Sequence, residues 1–380
     1  MKSEKKDIVV IGSMLSNDVI LASHLLRYGY KTIVARPKAE EVIIENSITK
    51  TPKDLIFYYN NKFQLLKTLY NTKIIICISG AILLYLKQFF LIYPFLRLPK
   101  FINIPTGSDF TELATENSIR GYLYRKVLRR AKVNLIGTYP NKIKTLIKLK
   151  NINFHFSRFP YKTNENKKLL KVLKKESPII FFHPSNIDWN ADNVKSRNST
   201  KGSNKFIKAF IKALKDGLNA KCIILDRGID KEKAKLIISK SGASEHFIWK
   251  EDLSREEFFT QVQQCDVVVD QFSGGAYGGI AVESMSYGKP VFCHIHKPSA
   301  RLLYFDDLPP VFNCYSEKQI YKALHLCQDR EYLYKKGKQS QDWAYRNHNW
   351  KFYLIQINLF FDILTENSKS KFLLENIDEN

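Results

Sequence analysis

Short apolar runs alternate with helically spaced apolar positions from one end of the chain to the other, the pattern of βαβ units and parallel sheets. In the first half the runs predict strands at DIVVIG (7–12), KTIVAR (31–36), DLIFYY (54–59), KIIICIS (73–79), FINIP (101–105) and KVNLIG (132–137). In the second half they predict strands at SPIIFFH (177–183), KCIILD (221–226), HFIWK (246–250), CDVVVD (265–270) and KPVFCH (289–294). Helical patterns fit between them at about 16–29, 80–93, 117–131, 140–150, 202–217, 230–241, 254–264 and 279–287. After Pro309-Pro310 the pattern turns helical, at 317–328, 330–347 and 350–365. Two nucleotide-type α/β sheets in tandem are expected.

The stretch from Phe159 to Ser177, FPYKTNENKKLLKVLKKES, is polar and lysine-rich and separates the two series, which makes it the hinge. The expected organisation is a Rossmann-like domain at 1–160, a linker at 161–176, a second Rossmann-like domain at 177–349, a helix at 350–365 that crosses back, and a frayed tail at 366–380. A length of 380 residues agrees, since about 150 residues per domain is the usual scale. Two domains imply a cleft. Hydrophobic content of 44% with 13% aromatics excludes a disordered basic tail.

Charge changes the picture for one half only. Residues 1–175 hold 32 Lys and Arg against 11 Asp and Glu, and the remainder holds 28 against 26. An anionic partner for the first half follows, whether a membrane surface, a phosphorylated lipid or nucleic acid. The segment SIRGYLYRKVLRRAK (118–132) places Arg120, Arg125, Lys126, Arg129, Arg130 and Lys132 on a helix with Tyr122, Leu123, Val127 and Leu128 interleaved. Such a helix can lie on an anionic bilayer or be an ordinary solvated face. No RNP, KH, zinc-finger or helix-turn-helix pattern accompanies the charge, so nucleic acid is not an expected partner.

Cys77, Cys222, Cys265, Cys293, Cys314 and Cys327 lie far apart in mostly apolar runs, with no CxxC pair, and read as reduced core residues. The first thirty residues enter a strand instead of a signal-peptide apolar region, so a cytoplasmic chain is expected, with docking on the inner face of the plasma membrane open to its basic half. Ile74 to Leu98 is the one membrane-like stretch, but Ser79-Gly80, Lys87, Pro94 and Arg97 interrupt it before about 20 apolar residues accumulate.

The segment CDVVVDQFSGGAYGGIAVESMSYGKPVF (265–292) carries the most chemistry. A strand ends at Asp270, a loop with Gly274, Gly275, Gly278 and Gly279 follows, and a helix begins near Gly279 with Glu283 one turn in. Glycines admit close approach to a ligand, and free N–H groups at a helix start attract a diphosphate. A carboxylate at Glu283 suits vicinal ribose hydroxyls. A glycine-rich turn with a solvated Glu is the plainer alternative.

This segment resembles the nucleotide-sugar site of the family 4 glycosyltransferases, which have the GT-B fold and retain anomeric configuration. Tyr277-Gly278, Glu283, Ser284-Met285 and Gly288-Lys289-Pro290-Val291 match the family pattern, whereas Gly275 stands where the family has the first Glu of its Glu-x7-Glu motif. That Glu helps hold the donor sugar in the family. Asp270-Gln271-Phe272 fits a variant found in some relatives, and Asp270 either contacts the sugar or caps the loop. The basic pair ahead of the second domain's first helix corresponds to Lys201, before Gly202, and more loosely to Arg197. Their positive charge would stabilise the leaving diphosphate.

The resemblance further implies donor contacts at His183, Asp226, Gly228, Trp249, Lys250, Gln271, Gly279 and Ile280, with Trp249 either stacked on the base or in the core. In the first domain it assigns Gly12, Ser13, Gly107 and Ser108 to an acceptor or phosphate loop, and Asp109 to an acceptor hydroxyl or to a loop cap. The expected fold is therefore α/β of GT-B type, two Rossmann-like domains facing a central cleft, with the C-terminal helices packing back toward the first.

The expected activity is transfer of a hexosyl group from a UDP- or GDP-sugar to a glycan or lipid-linked acceptor in surface polysaccharide or glycolipid synthesis. Catalysis would use Lys201, Glu283 and Asp109. No Asp-x-Asp triplet occurs in the chain, so neither a metal nor another cofactor is expected. Two readings compete on the same fold, a catalytically silent nucleotide-sugar-binding subunit, which Gly275 suggests, and a nucleotide-sugar epimerase.

Overall fold

The computed structural model describes residues 6–12, 17–27, 29–38, 55–79, 100–159, 161–164, 177–189 and 200–349. These fall into two compact units, one drawn from 1–137 and 144–160, the other from 138–143 and 161–349.

The first series of elements is β1 (Lys6–Ile11), α1 (Asn17–Arg27), β2 (Thr32–Pro37), β3 (Ile56–Tyr59), α2 (Lys62–Tyr70), β4 (Thr72–Ile78), β5 (Lys100–Ile104), α3 (Ser108–Thr111), α4 (Ile119–Arg130), β6 (Val133–Ile136), α5 (Pro140–Lys148) and β7 (Phe154–Phe156). All seven strands pair in parallel, in the order β3-β2-β1-β4-β5-β6-β7. Continuous apolar runs suit this sheet because both faces are covered. Val9 and Ile11 join a core with Tyr124 and Leu128 of α4, while Ile8 and Val10 join the opposite core with Leu21 and Leu25 of α1. Ser118 caps α4 by accepting the Gly121 N–H at 3.0 Å. Gly121 is needed there, since a Cβ would lie 2.3 Å from the Glu116 carbonyl oxygen.

The second series is β8 (Ile179–His183), α6 (Ser203–Lys215), β9 (Ala220–Leu225), α7 (Lys231–Lys240), β10 (Phe247–Lys250), α8 (Arg255–Gln264), β11 (Val267–Val269), α9 (Gly279–Ser286), β12 (Val291–Cys293), α10 (Lys297–Tyr304), β13 (Phe312–Asn313), α11 (Glu317–Leu326) and α12 (Arg330–His348). Its six parallel strands run in the order β10-β9-β8-β11-β12-β13. Phe181, Phe206, Phe210 and Phe292 interlock at the centre of the core beneath α6, with ring centroids 5.3 to 6.5 Å apart.

Both predicted sheets are present, and the structure adds elements that the hydrophobic pattern did not show. Helix α2 buries only Leu65 and Leu69, one turn apart, too few positions to set a period. Helix α10 has eight residues with Pro298 in its first turn, β13 is a two-residue pairing, and β7 is largely exposed. The helices expected at 80–93 and 350–365 lie outside the described residues. All six cysteines are free and buried.

Candidate functional site

Strand order reverses between β8 and β11 in the second sheet, and open α/β sheets bind ligands beyond the carboxyl ends of strands at such a switch. Strand β8 ends at His183 and leads into Ser185, and β11 leads into Asp270-Gln271. Asp270 is buried, with one carboxylate oxygen accepting the Ser185 hydroxyl at 3.2 Å and the other accepting the Gly278 N–H at 2.6 Å. Burial pushes its carboxyl up, opposed by the Lys201 charge and the Gly278 amide. Gln271 accepts from Lys201 Nζ at 2.7 Å and donates to the Ala276 carbonyl at 2.5 Å. The Lys201 carbonyl in turn accepts the Phe272 N–H at 2.7 Å. Lys201, Asp270, Gln271 and the glycine loop thus form one hydrogen-bonded assembly. Of the two roles open to Asp270, loop capping is the one its hydrogen bonds display.

The glycines of the loop have separate reasons. Gly275 has φ +70°, and its missing Cβ would stand 3.0 Å from Pro140 Cγ and 3.2 Å from His296 Cβ. Gly279 opens α9 under the Tyr161 ring, which a Cβ would meet at 2.9 Å. Ile280 lies in the first turn of α9. Tyr277 turns inward, its hydroxyl in contact with Tyr304 and 3.0 Å from His348 Nε2, so burial pushes its phenol up.

Glu283, on α9, is 2% exposed and faces Arg255 at the start of α8. The guanidinium donates to both carboxylate oxygens, at 2.5 and 3.1 Å. Burial pushes the Glu283 carboxyl up, while Arg255, then Lys162 through its charge and its backbone N–H, oppose the shift. Sequence reading missed Arg255, which lies 28 positions before Glu283 with no motif to link them.

The strand ends beside this assembly are clamped to one another. Asp188 accepts the Ile229 N–H at 2.8 Å, and Asp230 accepts the Trp189 N–H at 2.9 Å. Gly228, at φ +110°, permits the contact, since a Cβ would lie 2.3 Å from the Ile187 nitrogen. Arg227 donates to the Pro184 carbonyl and to Asp252. Asp226 is held by Lys235 at 3.0 Å, which keeps its carboxyl below the usual range. Trp249 packs against the core with Lys235 Nζ 5.3 Å from its ring centroid, and Lys250 Nζ donates to Gln261 at 2.7 Å. His183 is fully buried beside Phe206, with neither ring nitrogen hydrogen-bonded among the described residues, and burial lowers its pKa to about 4.

In the first unit, Gly12 lies at φ +81° just past β1, and Asp109 engages both oxygens, accepting the Gly107 N–H at 2.8 Å and the Tyr124 hydroxyl at 3.0 Å. Those are the bonds of a loop cap. Ser108 begins α3. Arg197 and Ser13 lie outside the described residues. On α4, Arg120, Lys126, Arg129 and Arg130 are exposed, as is Lys132 beyond it, while Arg125 is half-buried and donates to the carbonyls of Ala114 and Glu116. Among the described residues no helix is long and apolar enough to cross a membrane, and no three of His, Cys, Asp and Glu gather as a metal site.

Comparison with known proteins bears on this arrangement. Residues 193–303 match the family model described as glycosyl transferases group 1, less than a third of the chain. No curated protein matches the sequence significantly. Solved structures that match the fold include sucrose-phosphate synthase from Thermosynechococcus elongatus, 13% identical over 94% of this chain and 99% of that one, at a TM-score of 0.63. Anabaena HepE, solved with UDP and glucose, gives the same identity, coverages and TM-score. A putative UDP-N-acetylglucosamine 2-epimerase from Listeria monocytogenes is 11% identical over 97% and 99% of the two chains, at 0.54. The chain has the two-domain, Rossmann-like GT-B fold, and its sequence from 193 to 303 is similar to glycosyl transferases group 1.

Proposed function

We propose that the chain is a retaining, metal-independent glycosyltransferase of family 4 type that takes a UDP- or GDP-sugar in its second unit. The observation that carries this reading is the assembly at the β8/β11 switch, where Lys201 is tied through Gln271 to the glycine loop that opens α9. Lys201 and the amides of Gly279 and Ile280 would hold the diphosphate, where a preformed cation stabilises the charge that grows on the leaving group. Glu283 would take the ribose. As the glycosidic bond to the diphosphate loosens, an oxocarbenium-like centre develops and the acceptor hydroxyl enters from the same face.

The acceptor, a glycan or lipid-linked sugar of surface polysaccharide synthesis, is assigned to the basic first unit, with Asp109 and the 107–108 loop as its candidate contacts. The outward stripe of α4 supports a membrane-surface acceptor. Ile119, 81% exposed, and Tyr122 share that stripe with Lys126, Arg129 and Arg130, one apolar and cationic face.

Gly275 favours a second reading, a subunit that binds nucleotide sugar without turnover, because a Glu at this position meets both an unfavourable φ and Pro140. An epimerase shares the fold but calls for a cluster of acid and base carboxylates. The test is protection against heat by a panel of UDP- and GDP-sugars, followed by a transfer or donor-hydrolysis assay with the protecting sugar. Protection that Lys201→Ala and Glu283→Ala abolish supports the donor site, and turnover then separates enzyme from silent subunit. No protection by any nucleotide sugar refutes the reading.

A further inference from the structure

The buried ion pair at Glu283 has a consequence for nucleotide binding. A carboxylate offers about four lone-pair sites, and a bidentate guanidinium occupies two of them. The Arg255 guanidinium is itself fixed in place, lying 5.4 and 4.8 Å from the ring centroids of Phe258 and Phe259. Its backbone is fixed too, because Ser254 and Glu257 close a capping box around the first turn of α8. The side chain that holds Glu283 is therefore anchored at both ends.

We infer that Arg255 is a positioning residue for the donor site, aiming the Glu283 carboxylate at the ribose and keeping it a hydrogen-bond acceptor there. The inference rests on the reading of Glu283 as ribose ligand. An ionised carboxylate only accepts hydrogen bonds, and with two lone-pair sites on Arg255 and a third on the Lys162 N–H one remains for a ribose hydroxyl, whereas a protonated carboxyl carries a donor of its own. Burial drives Glu283 toward the protonated form, and Arg255 is the largest influence against it. The other titratable groups facing Glu283 are Lys162 and Tyr161 on the 161–164 segment and Tyr287 after α9. Lys162 places its ammonium 5.1 Å from the Phe259 ring centroid and gives the carboxylate only a backbone N–H as a hydrogen bond. Neither tyrosine carries a positive charge, so Lys162 alone cannot replace the bidentate pair.

The experiment is isothermal titration of UDP and of GDP into the whole protein across neutral to alkaline pH, with Arg255→Met, Arg255→Lys and Glu283→Gln beside the native chain. Arg255→Met is expected to bind the preferred nucleotide about tenfold or more weakly at the low end of the range, with the gap to native closing as pH rises and Glu283 ionises. Arg255→Lys, which keeps the charge and is the variant expected to fold as native, should lose only part of the affinity and follow the native pH profile. Glu283→Gln should be weak and flat. Native affinity with a native pH profile in Arg255→Met, or tighter binding in it, overturns the inference while leaving the donor site intact. A native chain that binds neither nucleotide overturns the donor site itself, and this inference with it.

Discussion

Gly275 turns its α-carbon toward Pro140 so closely that a side chain there would begin 3.0 Å from the proline Cγ, with the backbone already at φ +70°. A side chain in the left-handed region costs about 1–3 kcal/mol even without a neighbour. Gly275→Ala should therefore lower the unfolding free energy by that order, read as a lower urea midpoint. Gly275→Glu, which installs the residue that family 4 glycosyltransferases carry in the motif it resembles, should destabilise at least as much and give no gain in sugar transfer. A Gly275→Glu protein as stable as native and more active would show that the loop tolerates the family arrangement.

Lys201 is half-buried with its ammonium on the buried Gln271, so removing it leaves the amide oxygen without that donor, and the fold should lose about 1–3 kcal/mol. Nucleotide binding should fall about 10–100-fold, because a charge-assisted hydrogen bond is worth about 1.5–3 kcal/mol. The loss should be confined to the phosphates. Titration of Lys201→Ala with the nucleoside diphosphate and with its free nucleoside checks this. Equal weakening of both would move Lys201 away from the diphosphate.

These two cases show what the sequence makes legible. Strands such as IVVI (8–11) and IIICI (74–78) are readable because both faces are buried and every position is apolar, while β13, only two residues of pairing, leaves no such trace. The glycine loop is readable because its chemistry is local, with turn residues adjacent in the chain, whereas Lys201 is named only through the family resemblance, its partner Gln271 lying 70 positions later. Tyr277 belongs to the same motif, yet its ring turns into a cluster with Tyr304, Trp343 and His348. Spacing in a loop does not reveal which way a side chain faces. Arg255 was invisible for another reason, since its partnership with Glu283 exists only once α8 and α9 pack. For Asp109 the sequence leaves ligand and cap both open, and the hydrogen bond from Tyr124, fifteen residues later and one helix away, exists only once the unit folds.

The exposed stripe of α4 makes a prediction about lipid. Each basic residue near an anionic bilayer contributes about 1 kcal/mol, so Lys126→Gln with Arg129→Gln should weaken association about 30-fold. Both side chains are exposed, and the fold should not change. Sedimentation with phosphatidylcholine vesicles, with and without phosphatidylglycerol, is the measurement. Equal binding to neutral and anionic vesicles, or binding to neither, would remove the membrane surface as a partner and leave the donor site untouched.

His183 gives the fold an acid sensitivity whose sign follows from its burial. Its pKa falls from 6.5 to about 4 in the folded chain, so between those values the unfolded chain binds the extra proton. Stability then rises with pH across that window, and is lost as pH drops from about 6.5 toward 4, at up to about 1.4 kcal/mol per pH unit. The full contribution is on the order of 3 kcal/mol. His24 is lowered to about 4 as well, by burial and by Arg27, and adds a slope of the same sign. His183→Phe keeps the packing against Phe206 and removes two unpartnered ring nitrogens. Its urea midpoint should therefore fall less steeply than native between pH 6.5 and 4, with His24 supplying part of the slope that remains. Identical pH dependence in the two proteins would mean that His183 accepts its proton without leaving the folded state.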